Sequence, residues 1–147
     1  MAYRDMRDYL AVLEQHGLLR RVTREVDRSW EIACLAKWMY QALPVEHRFG
    51  LFCQNVKGST IPVVTAALGA SPRSVALALQ CEVDEINQTV VAALRNPINP
   101  SLSLNGACHE VELLGSSASL ANLPIVTWTP GKDKGPYITT KIGRAHV

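Results

Sequence analysis

Residues 50–73, GLFCQNVKGSTIPVVTAALGASPR, hold two strand signals, two turns and a helix start in chain order. Gly50–Val56 is β-prone and runs into a Lys57-Gly58 turn. Ile61–Leu68 is an almost unbroken apolar run, the pattern of a strand buried on both faces, and Gly69 closes it. Ser71-Pro72 then supplies a capping hydroxyl and a proline at the first helical position, and Val75–Leu79 continues that helix. Strand, strand and helix in such close succession predict an α/β domain.

The upstream sequence extends the pattern. Met6, Tyr9, Leu10 and Leu13 fall at i, i+3, i+4, i+7, with Gly17 as a helix stop. Leu18–Val26 alternates loosely and reads as a strand. Asp27 or Ser29 can cap a second helix whose apolar face is Ile32, Leu35, Ala36 and Met39, and Pro44 ends it. Trp30 and Trp38 are expected to fill core or interface space, with ligand stacking as the alternative. Downstream, Asp84–Leu94 is helical with Ile86, Val90, Ala93 and Leu94 on one face. Asn96-Pro97 and Asn99-Pro100 end it and mark a domain boundary.

Beyond Pro100 the texture becomes short β-prone pieces, Leu102–Leu104 and Cys108–Leu114, then a Gly115-Ser116-Ser117 turn. Residues 123–140, LPIVTWTPGKDKGPYITT, read as a loop feeding a strand at Tyr137–Thr140. A strand needs a ladder partner, and too few residues follow Lys141 to build one. More chain is expected downstream, and without it the apolar segment Leu123–Trp128 would lack cover. The common sequencing-library adapter AGATCGGAAGAGCACACGTCTGA, read from its third base, encodes Ile-Gly-Arg-Ala-His-Val and a stop. Its first two bases would complete a lysine codon. Residues 141–147 are therefore read as an assembly scar outside the fold, the alternative being a natural basic tail. The expected organisation is an α/β domain over 1–96, a linker and first strands of a β-rich domain over 97–140, and the scar.

Composition narrows the function classes. The 147 residues are 48% hydrophobic and 19% charged, with a formal charge of +2, which suits about one globular domain. Near-neutrality gives no electrostatic case for nucleic acid or an anionic membrane. The local basic cluster Arg20, Arg21, Arg24 is followed at once by Glu25 and Asp27, as on a solvated strand edge. No apolar run reaches the ~18–20 residues of a membrane span, and the charged N-terminus is unlike a secretion signal. A cytoplasmic location is expected. Cys34, Cys53, Cys81 and Cys108 lack the close pairing that zinc or redox dithiols favour, and are expected as buried free thiols.

Candidate catalytic groups are sparse. His16 sits at a helix end and suits the helix dipole better than catalysis. His47 lies between Glu46 and Arg48 in a polar loop. Cys108 and His109 are strand neighbours that would point to opposite faces, so they cannot act as nucleophile and base. The Gly69–Arg73 turn leads into a helix N-terminus, where capping is favoured over anion binding. The Gly131–Pro136 loop lacks the Gly-Lys-Ser/Thr of a phosphate loop.

The order of three elements resembles the N-terminal part of the UbiD family of reversible, non-oxidative decarboxylases. They are the opening helix MRDYLAVLEQHGLLRRV, the strand-turn LFCQNVKG with IPVVTAALGASPR, and the link ASLANLPIVTWTPGKDKGPYITT. Asn55-Val56-Lys57-Gly58 and the Leu123-Pro124-Ile125 to Gly135–Thr139 link carry most of the likeness. The resemblance implies a lyase acting on an aromatic or α,β-unsaturated carboxylic acid. It implies prenylated FMN from a partner flavin prenyltransferase, with manganese and potassium, in a homo-oligomer. The cofactor would lie in a split β-barrel whose first strand is Tyr137–Thr140, so Thr139 or Thr140 is expected to contact the flavin phosphate or ring. The family's metal ligands and Glu–Arg–Glu network have no counterpart in this sequence. No catalytic or metal residue is therefore assigned, and the fragment alone is expected to be inactive and flavin-free. The alternative is a non-catalytic assembly module of the same ancestry.

Overall fold

The computed structural model describes residues 3–102, 104, 106, 109–129 and 131–138. The first helix, α1 (Met6–Gln15), starts at Asp5, whose carboxylate accepts the Arg7 and Asp8 N–H groups. It ends as Gly17 is placed to end it. With φ at 69°, Gly17 turns the chain so that its own N–H reaches Glu14 O and the Leu18 N–H reaches Leu13 O. Two helix-end carbonyls are thereby satisfied in a Schellman arrangement. Tyr9, Leu10 and Leu13 are buried, whereas Met6, expected on the same face, is 54% exposed at the helix's first turn.

β1 (Leu19–Val26) pairs in parallel with β2 (Gly50–Val56), joined by α2 (Glu31–Ala42). A parallel pair needs such a crossover, because its strands begin at the same end. Between Val22 and Glu25 the register shifts, so Thr23 and Arg24 stand opposite Gln54 alone, which bulges β1. β3 (Val63–Thr65) pairs antiparallel with β2, giving the order β1-β2-β3 with β1 and β3 at the edges.

β3 is much shorter than the apolar run Ile61–Leu68, and its residues are only half-buried. Pro62 has no N–H for a ladder, and Ala66 takes a left-handed φ of 59° that swings the chain out of the sheet. The chain then passes so close to β2 that a Cβ on Gly50 would sit 3.0 Å from the Ala67 Cα. Glycine at 50 lets the turn close over the sheet.

The sheet separates two apolar clusters. On one side Tyr9, Leu10, Leu13, Leu18, Leu19 and Ala67 pack with Phe52, Val64 and Leu77. On the other, Val26, Ile32, Ala33, Cys53, Val56 and Val126 pack with Val22, Leu35, Val63 and Trp128. Phe52 and Cys53, adjacent in β2, face opposite clusters as strand geometry requires. α3 (Pro72–Leu79) completes the first side. Ser71 caps it through Ser74 N–H, and the Ser74 hydroxyl contacts Leu68 O at 3.0 Å and Ser71 O at 2.7 Å. The Tyr9 hydroxyl lies 2.9 Å from both Ala67 O and Ser74 O, tying α1 to the turn and to α3. Burial raises its pKa to about 12.

A 3-10 turn at Val83–Glu85 leads into α4 (Ile86–Arg95), which buries no residue; Val90, Val91 and Leu94 are exposed. Among the described residues no strand follows Thr65. Leu102, Leu104, Val111, Leu113 and Leu114 stand exposed instead of alternating into a sheet. Alternation alone does not make a strand; it needs a ladder partner and a surface to cover. Tyr137 and Ile138 are likewise outside any strand. The start of a barrel is therefore absent among the described residues, and the fold is a small α/β domain with a mixed sheet. Trp30 and Trp38 are not core: they are 52% and 55% exposed on the side of α2 turned from the sheet. Cys34 shares that side and is exposed, while Cys53 is buried and Cys81 half-buried.

Candidate functional site

The link over residues 123–138 follows the domain's second cluster, so this face carries the candidate site. Val126, 5% exposed, inserts beside Val26, Ile32 and Val56, with Trp128 packed against them. Val126 and Trp128 thus find cover on the sheet face, where an uncovered segment was expected, while Leu123 at its start stays 39% exposed. Two polar contacts with the β1–α2 loop fix its path. The Arg28 guanidinium donates to Leu123 O at 2.7 Å, and Thr127 N–H donates to Arg28 O at 3.0 Å.

Beyond Trp128 the chain loops out and returns. Tyr137 N–H donates to Val126 O at 3.3 Å, and the Trp128 indole N–H donates to Tyr137 O at 3.2 Å. Within the loop the Asp133 carboxylate accepts Thr129 N–H at 2.6 Å, while Lys132 and Asp133 N–H groups return to Thr129 O. Gly131 supplies the left-handed φ of 75° that the tight loop needs. The result is a closed loop anchored on the core, with Ile138 exposed at its end. Thr139 and Thr140, the expected flavin contacts, lie just beyond it and outside the described residues, as does Cys108.

The α2 entrance beside this link is ordered by charge. Asp27 accepts Ser29 N–H at 2.7 Å, and Glu31 reaches back to accept Asp27 N–H at 2.9 Å while pairing with Arg24. The expected cap at Asp27 or Ser29 is therefore displaced. Trp30 is the N-cap residue and makes no side-chain bond, and Asp27 orders the turn ahead of it. The Ser29 N–H, aided by Lys57, holds the Asp27 carboxyl below the usual carboxylate range. The Asp27 N–H and Arg24 do the same for Glu31. Carboxyls with depressed folded-state pKa values stabilise the fold fully above their unfolded values of about 4 and lose that contribution as pH falls through the folded values. Acid titration of unfolding should therefore show a flat plateau above about pH 5 and a decline below it, shallower in Asp27→Asn. An equal decline in Asp27→Asn would remove Asp27 from the account.

A shallow depression of about 410 Å³ opens beside the link, lined by Arg28, Ser29, Leu120, Ala121, Leu123, Ile125, Thr127 and Pro136. A second, of about 290 Å³, lies between Met6, the Val64–Gly69 turn and Trp128. Neither brings a nucleophile and a base together. The remaining sequence candidates are dispersed. His16 is the exposed C-cap residue of α1, His47 ends an exposed 3-10 turn, and His109 is exposed. Among the described residues no group of three His, Cys, Asp or Glu is placed to hold a metal ion. Ser71 and Ser74 are buried and bonded to one another, so the α3 start is a capped end. In the basic cluster, Arg21 grips Glu14 through two nitrogens at 2.6 and 2.7 Å and covers Phe52, Arg24 pairs with Glu31, and Arg20 lies over Phe49. The Arg21 and Arg24 guanidinium groups are thus paired locally. Among the described residues no helix is long and apolar enough to cross a membrane.

Residues 10–94 match the family described as the 3-octaprenyl-4-hydroxybenzoate carboxy-lyase N-terminal domain. The evolved dimeric form of the UbiD-class enzyme HmfF from Pelotomaculum thermopropionicum, solved with prFMN, is 34% identical with a TM-score of 0.77 over 92% of this chain and 30% of its own. The same enzyme solved with FMN is 36% identical with a TM-score of 0.74, over 90% of this chain and 28% of its own. An uncharacterised Synechocystis protein, sll0936, is 29% identical across 92% of this chain and 31% of its own length. The chain thus spans about 30% of the length of the relatives it matches.

Proposed function

Because this chain belongs to the UbiD family, through the N-terminal carboxy-lyase domain matched at residues 10–94, we propose that it is the N-terminal part of a reversible, non-oxidative decarboxylase. Its substrate class is an aromatic or α,β-unsaturated carboxylic acid. The docked link carries the reading. Val126 and Trp128 pin it to the sheet, and the loop closes on it through Tyr137. In the complete enzyme Thr139 and Thr140 contact the flavin phosphate or ring, and the α/β domain helps wall the active-site cleft. Oligomerisation, manganese and potassium belong to the complete enzyme, which takes its cofactor from a flavin prenyltransferase.

Prenylated flavin supplies an electron sink that lets CO2 leave, chemistry side chains do poorly. The described residues do not themselves make its cradle. Arg28 is engaged with Leu123 O, Thr129 N–H with Asp133, and the depressions beside the link are shallow. Their part is to fix the wall and the approach.

The test is to sequence the source DNA through the Thr140 codon, then to purify both the 147-residue chain and any extended product from cells making the flavin prenyltransferase. The expected result is an open frame whose extended product retains flavin and releases CO2 from a panel of aromatic acids. The 147-residue chain should do neither. Decarboxylation by the short chain, or an extended product that binds no flavin, would overturn the assignment. A second reading, a non-catalytic assembly module, is favoured by the cover that Val126 and Trp128 find within the chain itself. It predicts that the source DNA stops after Val147.

A further inference from the structure

We infer that the β1–α2 turn is a latch for the link, in which Arg28 grips residues 123–127 and the charge balance at Asp27 and Glu31 sets how firmly it holds. Arg28 meets the link with both of its ends. Its guanidinium donates to Leu123 O at 2.7 Å and its carbonyl accepts Thr127 N–H at 3.0 Å, so one residue brackets the stretch that contains Val126. The turn that carries Arg28 is itself tied down. The Asp27 carboxylate accepts Ser29 N–H at 2.7 Å, Asp27 N–H donates to Glu31 at 2.9 Å, and Asp27 O accepts Ile32 N–H at 3.3 Å. On a loose turn, ordering the backbone would cancel most of what one hydrogen bond contributes.

The choice of acceptor is what makes the contact adjustable. A guanidinium bonds a carboxylate more strongly than a neutral carbonyl. Asp27 and Glu31 both lie within three residues of Arg28, yet its guanidinium donates to a carbonyl of the link. Each carboxylate is already engaged. Lys57 Nζ stands 3.8 Å from Asp27, and Arg24 pairs with Glu31 at 2.5 Å. These two cations occupy the acceptors that would otherwise draw Arg28 off the link. The Arg24 pair is much the closer, so Glu31 is the main competitor and Arg24 is the residue that keeps it occupied. Arg24 sits in the β1 bulge, a place where a strand re-aims a side chain. It bonds Glu25 O and Glu31 and none of the described link residues, so its influence on the link must pass through the turn.

Magnitudes divide the work between the latch and the apolar anchor. One charge-assisted hydrogen bond shifts a docking equilibrium by about tenfold. Arg28 therefore tunes how often the link opens, while Val126 and Trp128 set the face on which it closes.

The experiment is amide hydrogen exchange on the 147-residue chain, comparing the wild type with Arg28→Ala, Arg28→Lys, Arg24→Met and the double variant Arg24→Met/Arg28→Ala. Arg28→Ala should speed exchange at Thr127 and Tyr137 about tenfold and leave the β2 amides unchanged. Arg28→Lys, which keeps the charge and loses the planar fork, should fall between wild type and alanine. Arg24→Met should speed exchange at the same two amides by about threefold or more. In the Arg28→Ala background it should add nothing, because the freed Glu31 then has no guanidinium to draw away. Unchanged exchange at Thr127 in Arg28→Ala would overturn the inference. So would an Arg24→Met effect of equal size with and without Arg28, or a matching rise in β2, which would mark plain loss of stability.

Discussion

Leu13→Ala should lower the unfolding free energy by about 3 kcal/mol and the melting temperature by about 15 °C. Leu13 is fully buried, at the centre of the cluster that joins α1 to the sheet through Leu18, Leu19 and Ala67. Truncation removes its transfer energy and leaves a cavity that the neighbours cannot fill. Tyr9 is held by the Ala67 and Ser74 carbonyls, and the Gly17 turn fixes the exit of α1. A domain of this size has only about 5–15 kcal/mol in hand, so the loss is a large share of the total. Leu13→Met keeps the volume and should cost under about 1.5 kcal/mol. Urea unfolding of the three proteins checks the pair. Equal midpoints for wild type and Leu13→Ala would show that this cluster does not hold the fold.

Val126→Asp should release the link from the sheet face. Burial of a valine contributes about 1.5–3 kcal/mol, and an unpaired carboxylate at the same place would add a desolvation penalty of several more. The link escapes that penalty by undocking, so the domain keeps its fold and loses about 2–3 kcal/mol of stability. Trp128 then leaves the cluster containing Val26 and Ile32, and the hydrogen bonds of Thr127 and Tyr137 open. Amide exchange at Thr127 and Tyr137 should rise to the rate of an exposed loop while amides of β2 stay protected. Unchanged exchange at both would mean that the link is held by Arg28 and the loop, not by Val126. Under the proposed function the same change in the complete enzyme would weaken its retention of flavin.

What could be read from residues is what short-range chemistry decides. Gly17 had to stop α1 because only a left-handed residue closes that turn, and Ser71-Pro72 had to start α3. Gly50–Val56 emerged with its bounds intact because the Lys57-Gly58 turn fixes its end. Long-range partnership was less visible. The shortening of β3 depends on Ala66, whose left-handed backbone no propensity foretells. The β-prone pieces after Pro100 have the right residues and no ladder. In the candidate site, the Arg28 to Leu123 contact spans 95 positions, beyond any local pattern. The Thr129–Asp133 staple was legible in principle, since an aspartate beside a Gly turn commonly takes a backbone N–H. For Trp30 and Trp38, read as filling core or interface space, the core half fails: their spacing places them opposite the buried Ile32, Ala36 and Met39.

The two edges of the sheet bear on how this chain behaves when crowded with copies of itself. An open strand edge offers a row of unpaired N–H and C=O groups onto which another strand can add, the start of fibrous aggregation. β3 offers three residues, too few for a firm template. β1 offers eight, but it is bulged at Thr23 and Arg24 and carries Arg20, Arg21, Arg24 and Glu25 along its length. A second β1 brought alongside would stack guanidinium against guanidinium over a kinked backbone. The basic run thus acts as a guard against sheet extension.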